Sequence, residues 1–424
     1  MHHFTYRGGT LHADDVSLAK IAAEVGTPTY VYAAATIERH YRAFSEAFSG
    51  VDAHVFYAMK ANSNLAVLKL LGGLGAGADT VSEGEIRKAL AAGIPANRIV
   101  FSGVGKTDAE LAFAVDAGIY QVNVETEGEL LALSRIAAAK GREQAAVFRI
   151  NPDIGAGGHA KITTGSSDNK FGVSIEEAER LYGVARDLAG VRIEGLAVHI
   201  GSQIRALHDL RAAFGRMRAM ALHLRERGFR VSRLDLGGGL GIPYEMSEAV
   251  THGPGLIQSY AALARNIFHD LGVELGFEPG RIIVGNAGVL LARVVHLNRR
   301  PQKTFAVVDA AMNDLIRPAM YEAFHDIWTV REPEKGAERR PYDVVGPICE
   351  TSDSFAAGRS LPVLAPGDLV TFMTAGAYGA AMSSTYNSRL LVPEVLVKGS
   401  DYAVVRPRQT WEDLIGQDRL PNWV

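Results

Sequence analysis

Cysteine is almost absent from this sequence: among 424 residues there is only Cys349. One thiol cannot close an intrachain disulfide and fits no metal-ligand spacing, so the expectation is a reduced, cytoplasmic protein without a structural metal. An excess of either charge is missing too. Lys+Arg 44 against Asp+Glu 47 leaves a formal net charge of -3. That offers neither the basic field that tracks a phosphate backbone nor a long acidic tail, and it argues against nucleic acid or a membrane surface as partner. No run reaches the roughly 18 apolar residues of a membrane span, and the opening MHHFTYRGGT lacks the apolar segment of a signal peptide. His2 and His3 are adjacent, which is no helical ligand spacing, and are expected to face solvent. Internal repeats and low-complexity tracts are lacking as well. What remains is a chain long enough for two domains.

From residue 54 onward, short runs rich in Val, Ile and Phe alternate with longer stretches whose apolar residues recur every three or four positions. The spacing predicts strands at 54–59, 78–82, 99–103, 120–125, 146–150, 193–200, 233–236 and 274–277. Eight strands alternating with helices predict an α/β fold, a closed (β/α)8 barrel of the TIM type. Helix starts are legible at Ser82, Thr107, Thr126 and Ser174, each followed three residues later by glutamate. In such a capping box the hydroxyl accepts from an orphan amide and the glutamate reaches back. After about residue 285 the pattern changes to strand-like runs at 305–309, 342–345, 368–374 and 402–405, separated by Pro, Gly and Asp. This predicts a second, mainly antiparallel β domain. Residues 29–32 also read as a strand, so the expected division is a barrel over 33–284 and a β domain formed by 1–32 and 285–424. The charged stretch 331–340 reads as a surface insertion.

A barrel carries its active site at the C-terminal ends of its strands, and the polar residues there converge on one chemistry. Lys60 follows the first strand. A lysine at the rim of a partly dry barrel can lose its proton and attack a carbonyl; the alternative is a snorkelling surface charge. Gly237, Gly238, Gly239 and Gly241 follow the seventh strand, and such a run lets backbone amides approach an anion such as phosphate, although glycine-rich turns also serve purely steric ends. Glu278 ends the eighth strand, either as a rim carboxylate paired with Arg281 or facing a ring nitrogen that it keeps protonated. His199 ends the sixth, as a satisfied rim histidine or as a flat partner for a ring.

These residues sit in segments that resemble the barrel-fold pyridoxal-phosphate decarboxylases, the family of diaminopimelate, ornithine and biosynthetic arginine decarboxylases. The markers are YAMKAN at 57–62, VSEGE at 81–85, HIGSQ at 199–203, GGGLG at 237–241, EPGR at 278–281, CETSD at 349–353 and GAYG at 376–379. The resemblance extends over nearly the whole chain. It implies pyridoxal 5'-phosphate as cofactor, with Lys60 as the Schiff-base lysine, His199 stacked on the ring and Glu278 at the pyridine nitrogen. Ser202, the glycines Gly238, Gly239 and Gly280, Arg281 and Tyr378 would hold the phosphate or its surroundings. Cys349 resembles the family's proton donor, which is supplied by the second subunit of a homodimer, so shared active sites are implied.

Substrate choice divides the family. The segment 317–321, Arg-Pro-Ala-Met-Tyr, resembles that of the diaminopimelate enzymes. Arg317 and Arg281, with Tyr321 and Tyr378, would suit the substrate's distal carboxylate, and Glu350 its distal ammonium. Ornithine-type enzymes carry a shorter aspartate at the place of Glu350. The implied reaction is decarboxylation of meso-2,6-diaminopimelate to L-lysine, the last step of lysine biosynthesis. Arg317 as a surface ion pair is the plainer alternative. Three other readings compete with this one. A decarboxylase for ornithine, arginine or a carboxylated polyamine leaves Arg317, Tyr321 and Glu350 without a role. A silent relative would have lost Lys60 or Cys349, and a racemase would leave the CETSD segment without one. The segment 159–172 resembles a family loop, with Thr163 where serine is expected; Lys161 and Lys170 lie there, off any strand end.

Overall fold

In a computed structural model the described residues are 2–154, 170–245 and 255–424. They form two compact units, one of residues 2–39, 243–245 and 283–424, the other of residues 40–154, 170–242 and 255–282. In chain order, β1 (Phe4–Arg7), β2 (Thr10–Ala13) and β3 (Val16–Ser17) make a small antiparallel sheet, and β4 (Thr29–Ala33) follows. The barrel strands are β5 (Ala53–Ala58), β6 (Gly77–Thr80), β7 (Ile99–Phe101), β8 (Gln121–Val124), β9 (Gln144–Ile150), β10 (Val191–Val198), β11 (Arg233–Asp235) and β12 (Glu274–Phe277). Then come β13 (Gly288–Arg299), β14 (Thr304–Val308), β15 (Ile327–Thr329), β16 (Arg339–Val345), β17 (Ser354–Pro362), β18 (Leu369–Phe372), β19 (Glu394–Lys398) and β20 (Asp401–Arg406).

The barrel closes as predicted: β5 to β12 are parallel throughout, and β12 returns to pair with β5. Its strands are covered on both faces, which is why they read as short apolar runs without alternation. All seven residues of β9 are buried. Outside, Phe44 and Phe48 pack with Tyr260 against Phe277 of β12, the Phe48 and Phe277 rings 4.0 Å apart. Each such ring contributes about 1.5–3 kcal/mol by leaving water.

The helix starts need one correction. Ser82, Thr107, Thr126 and Ser174 all accept from the amide three residues on. Reciprocity is seen only at Thr107, where Glu110 reaches back to the cap amide. Glu85 and Glu129 reach one residue further, to the amides of Val81 and Glu125, and Glu177 turns to Arg180. In each of the three the carboxylate is taken up by a donor other than the cap amide.

In the other unit β13 is the hub. Its first half pairs antiparallel with β4 and β18, its second half with β14. β4 also runs parallel to β19, and β14 parallel to β16; the other pairings of this sheet are antiparallel. Beneath lies a core of Val31, Val289, Leu291, Val395 and Val397 with Phe4, Leu11, Leu18 and Ile21. The two N-terminal histidines are partly buried, contrary to expectation. His3 Nδ1 lies 2.8 Å from Thr36 Oγ1, and the His2 ring packs against Phe4 and Trp328, because β1 draws the N-terminal arm onto this unit.

Among the described residues, no helix is long and apolar enough to cross a membrane, and no group of three His, Cys, Asp or Glu is placed to hold a metal ion. Lys161 and Thr163 lie outside the described residues; Lys170, at their edge, is exposed.

Candidate active site

At the C-terminal end of the barrel strands opens a cavity of about 320 Å³, lined by Lys60, Ser102, Asn123, Arg149, His199, Asp235 and Glu278 among others. β5 ends in a tight turn, Met59–Ala61, that aims Lys60 inward. The turn is fastened where Tyr57 Oη donates to the Asn62 carbonyl at 3.0 Å. Lys60 Nζ lies 3.0 Å from Oδ2 of Asp79 on β6, a carboxylate wholly shut from solvent. Lys60 is therefore a cavity amine with a buried partner and not a snorkelling surface charge.

His199 follows β10. Its Nδ1 accepts from the Gly238 amide at 3.2 Å, which leaves the ring hydrogen on Nε2. Burial, with the charges of Lys60 and Arg149, pushes this imidazole well below its ordinary range, so the ring is neutral. Glu278 is pushed the other way. It is 6% exposed and faces Asp235 and Asp79, and burial with these two carboxylates raises it well above the usual range despite Lys60 and Arg149. Glu278 and Asp235, both raised, hold a proton between them that neither would keep in water. Arg281 donates to Ser202 Oγ at 3.0 Å, while Glu278 Oε1 lies 3.3 Å from the Asn123 amide.

The glycine run is steric as well as chemical. A Cβ on Gly237, Gly238 or Gly239 would stand 2.3, 2.1 or 2.3 Å from the carbonyl oxygens of Val198, Glu278 and Gly201 respectively. Gly237 and Gly239 also hold φ of 64° and 103°. Three of its amides are engaged inside the protein: Gly237 with Asp235, Gly238 with His199, Gly241 with Ile204. An anion cradle here thus has fewer amides to offer than the sequence suggested. Gly280 packs its α-carbon onto Ala58 and Ala61, seating the Glu278 segment beside the Lys60 turn.

The remaining predicted residues lie in the other unit. Cys349 is exposed, its amide donating to Asn387 at 3.2 Å. The turn that carries it is organised by buried Asp353, whose carboxylate accepts from the amides of Met312 and Ile348, both at 2.7 Å. Glu350 accepts from Ser352 and, at 2.8 Å, from Tyr386, and those bonds hold its carboxyl below the usual range. Arg317 is 6% exposed, with Nη1 2.8 Å from His325 Nε2 and its guanidinium 4.4 Å from the Tyr244 ring centre. Burial at that level excludes the surface ion pair. Tyr321 ends the same short helix, and Tyr378 takes a left-handed φ of 55°.

Sequence reasoning missed Asp79, Asn123, Arg149 and Asp235. The available signal was a polar side chain carried on a barrel strand.

Residues 34–285 match the family described as pyridoxal-dependent decarboxylase, pyridoxal binding domain. A diaminopimelate decarboxylase of Pseudomonas aeruginosa is 47% identical over 423 residues, covering 100% of both chains. Among solved structures, the diaminopimelate decarboxylase of M. jannaschii in complex with L-lysine aligns with a TM-score of 0.92 at 34% identity, over 99% of both chains. That of Helicobacter pylori, also complexed with L-lysine, gives 0.89 at 38%, over 94% of this chain and 98% of the other. The barrel, the cavity and these full-length likenesses together mean that the chain belongs to the diaminopimelate decarboxylase family of pyridoxal-dependent decarboxylases.

Proposed function

We propose that this chain converts meso-2,6-diaminopimelate to L-lysine and carbon dioxide, the last step of lysine biosynthesis, in the cytoplasm. The observation that carries the reading is the meeting, at one cavity, of a lysine amine, a neutral imidazole and a carboxyl kept protonated by burial. That donor set suits pyridoxal 5'-phosphate: an amine for its aldehyde, a flat uncharged ring for its face and a proton-holding acid for its ring nitrogen. When bound, the cofactor supplies the electron sink that takes the pair left by departing carbon dioxide.

The chain's own residues do the rest. Asp79 Oδ2, 3.0 Å from Lys60 Nζ, holds the amine at the cavity, where it is placed to meet a carbonyl. His199, with its hydrogen fixed on Nε2, contributes a neutral face that does not compete for the cofactor's positive charge. Glu278 keeps its proton available at the carboxyl because burial, and then Asp235 and Asp79, oppose its ionisation. Ser202, Gly238, Gly239, Gly280, Arg281 and Tyr378 hold the phosphate and its surroundings. Arg281, Arg317, Tyr321 and Tyr378 take the distal carboxylate, and Glu350, held ionised by Ser352 and Tyr386, takes the distal ammonium. Cys349 gives the proton that replaces the carboxylate. The proposal includes a homodimer in which the β domain, residues 1–32 and 285–424, completes the partner's site with Cys349 and Glu350. One free, exposed thiol suits a reducing compartment.

The test is turnover by purified protein with pyridoxal phosphate and meso-diaminopimelate, following carbon dioxide and lysine, with ornithine and arginine in parallel. Lysine is expected from diaminopimelate alone, and Lys60→Ala is expected to lose at least about a thousandfold in rate. Turnover of ornithine instead would overturn the assignment of Arg317 and Glu350.

A further inference from the structure

A buried arginine serves a carboxylate ligand only if its fork is held in one direction and its charge is still available. His325 provides the first for Arg317 and, being uncharged, takes nothing from the second. Arg317 Nη1 lies 2.8 Å from His325 Nε2, and the His325 ring is fixed in turn, with Nδ1 2.8 Å from the Met373 carbonyl oxygen. His325 is 1% exposed. Tyr244 closes the group, its ring under the Arg317 guanidinium at 4.4 Å and edge-on to the imidazole at 5.3 Å.

These contacts leave one tautomer. A carbonyl oxygen only accepts, so Nδ1 carries the hydrogen; a guanidinium only donates, so Nε2 presents its lone pair. Protonation would remove that lone pair and set two cations against each other, so the ring stays neutral. An aspartate or glutamate in this place would orient Arg317 equally well and cancel its charge. A neutral imidazole orients the fork without itself cancelling the charge.

We infer that His325 is a positioning residue for Arg317, and that through it the enzyme selects amino acids bearing a distal α-carboxylate over diamines that lack one. This rests on the reading of Arg317 given above. The test needs no turnover: calorimetric binding of L-lysine and of 1,5-diaminopentane, the same skeleton without the carboxylate, to the pyridoxal-loaded enzyme. His325→Asn can still reach the Met373 carbonyl but ends short of Arg317, whereas His325→Gln sets its amide oxygen near the place of Nε2. The asparagine variant is expected to bind lysine about tenfold or more weakly, with diaminopentane within about twofold of the wild type, and the glutamine variant to recover most of the loss. If Arg317→Met loses its preference for lysine and His325→Asn keeps it, the positioning role falls alone. If Arg317→Met keeps it, the reading of Arg317 falls and takes this inference with it. Equal loss of both ligands in the asparagine and glutamine variants would mean that His325 merely supports the fold, and would overturn the inference too.

Discussion

Glu274 opens β12 at the barrel end opposite the cavity, with His54 Nε2 3.6 Å from Oε1 and Arg233 Nε 3.8 Å from Oε2. Burial, reinforced by Asp52, nevertheless pushes its carboxyl up to about 7. A carboxyl raised in this way binds its proton more tightly folded than unfolded. Its stabilising contribution is complete below the ordinary value of 4.5 and is lost as pH climbs through about 7. Wild-type protein is therefore expected to lose about 1–2 kcal/mol more than Glu274→Gln between about pH 5 and about pH 8, the side chain's partial exposure being allowed for. Melting temperatures of both proteins at the two pH values check this, and parallel slopes would mean that Glu274 ionises freely. At this scale the sequence was legible where a polar residue ends a strand, as with Lys60, His199 and Glu278. Asp79 and Asn123 stayed hidden inside their strands, and Asp235 because it ends β11 with apolar Leu236 still to follow; only closure of the barrel turns them toward one another.

Closure also sets the tolerances of each element. Gly195 sits on β10 opposite Arg233 of β11, just after a shift of register against β9. A Cβ there would stand 1.8 Å from the Arg233 carbonyl oxygen. Gly195→Ala must push these neighbouring barrel strands apart, and is expected to cost about 1–3 kcal/mol or more. Gly183, within the helix Ile175–Ala185, has nothing within 4 Å of the same position. Gly183→Ala is expected to gain about 0.5–1 kcal/mol, since it only removes unfolded-state freedom. The two melting temperatures should move in opposite directions; a neutral Gly195→Ala would contradict the close approach of β10 and β11. Strands and helix starts were readable because burial on both faces and hydroxyl capping are local signals. The partners of β4 were not, since pairing with β13 and β19 joins residues hundreds of positions apart and leaves no periodicity to read.

For the molecule as a whole, the proposed reaction draws on two sets of side chains: Lys60, His199 and Glu278 from the barrel, and Cys349 and Glu350 from the β unit. If both sets came from one chain, a chain lacking either group would be dead whatever its partner. If the β unit completes the partner's site, mixing restores function. A dimer of a Lys60→Ala chain with a Cys349→Ala chain then holds one site with both defects and one with neither. Random reassortment makes half the dimers mixed, so lysine formation is expected to recover to about a quarter of wild type from two preparations that are each nearly inactive. Lysine, and not carbon dioxide alone, must be followed, because loss of the thiol acts on the protonation that follows carbon dioxide release. No recovery in a mixture shown by mass to contain mixed dimers would place Lys60 and Cys349 of each site on one chain, and the β unit would then serve its own barrel.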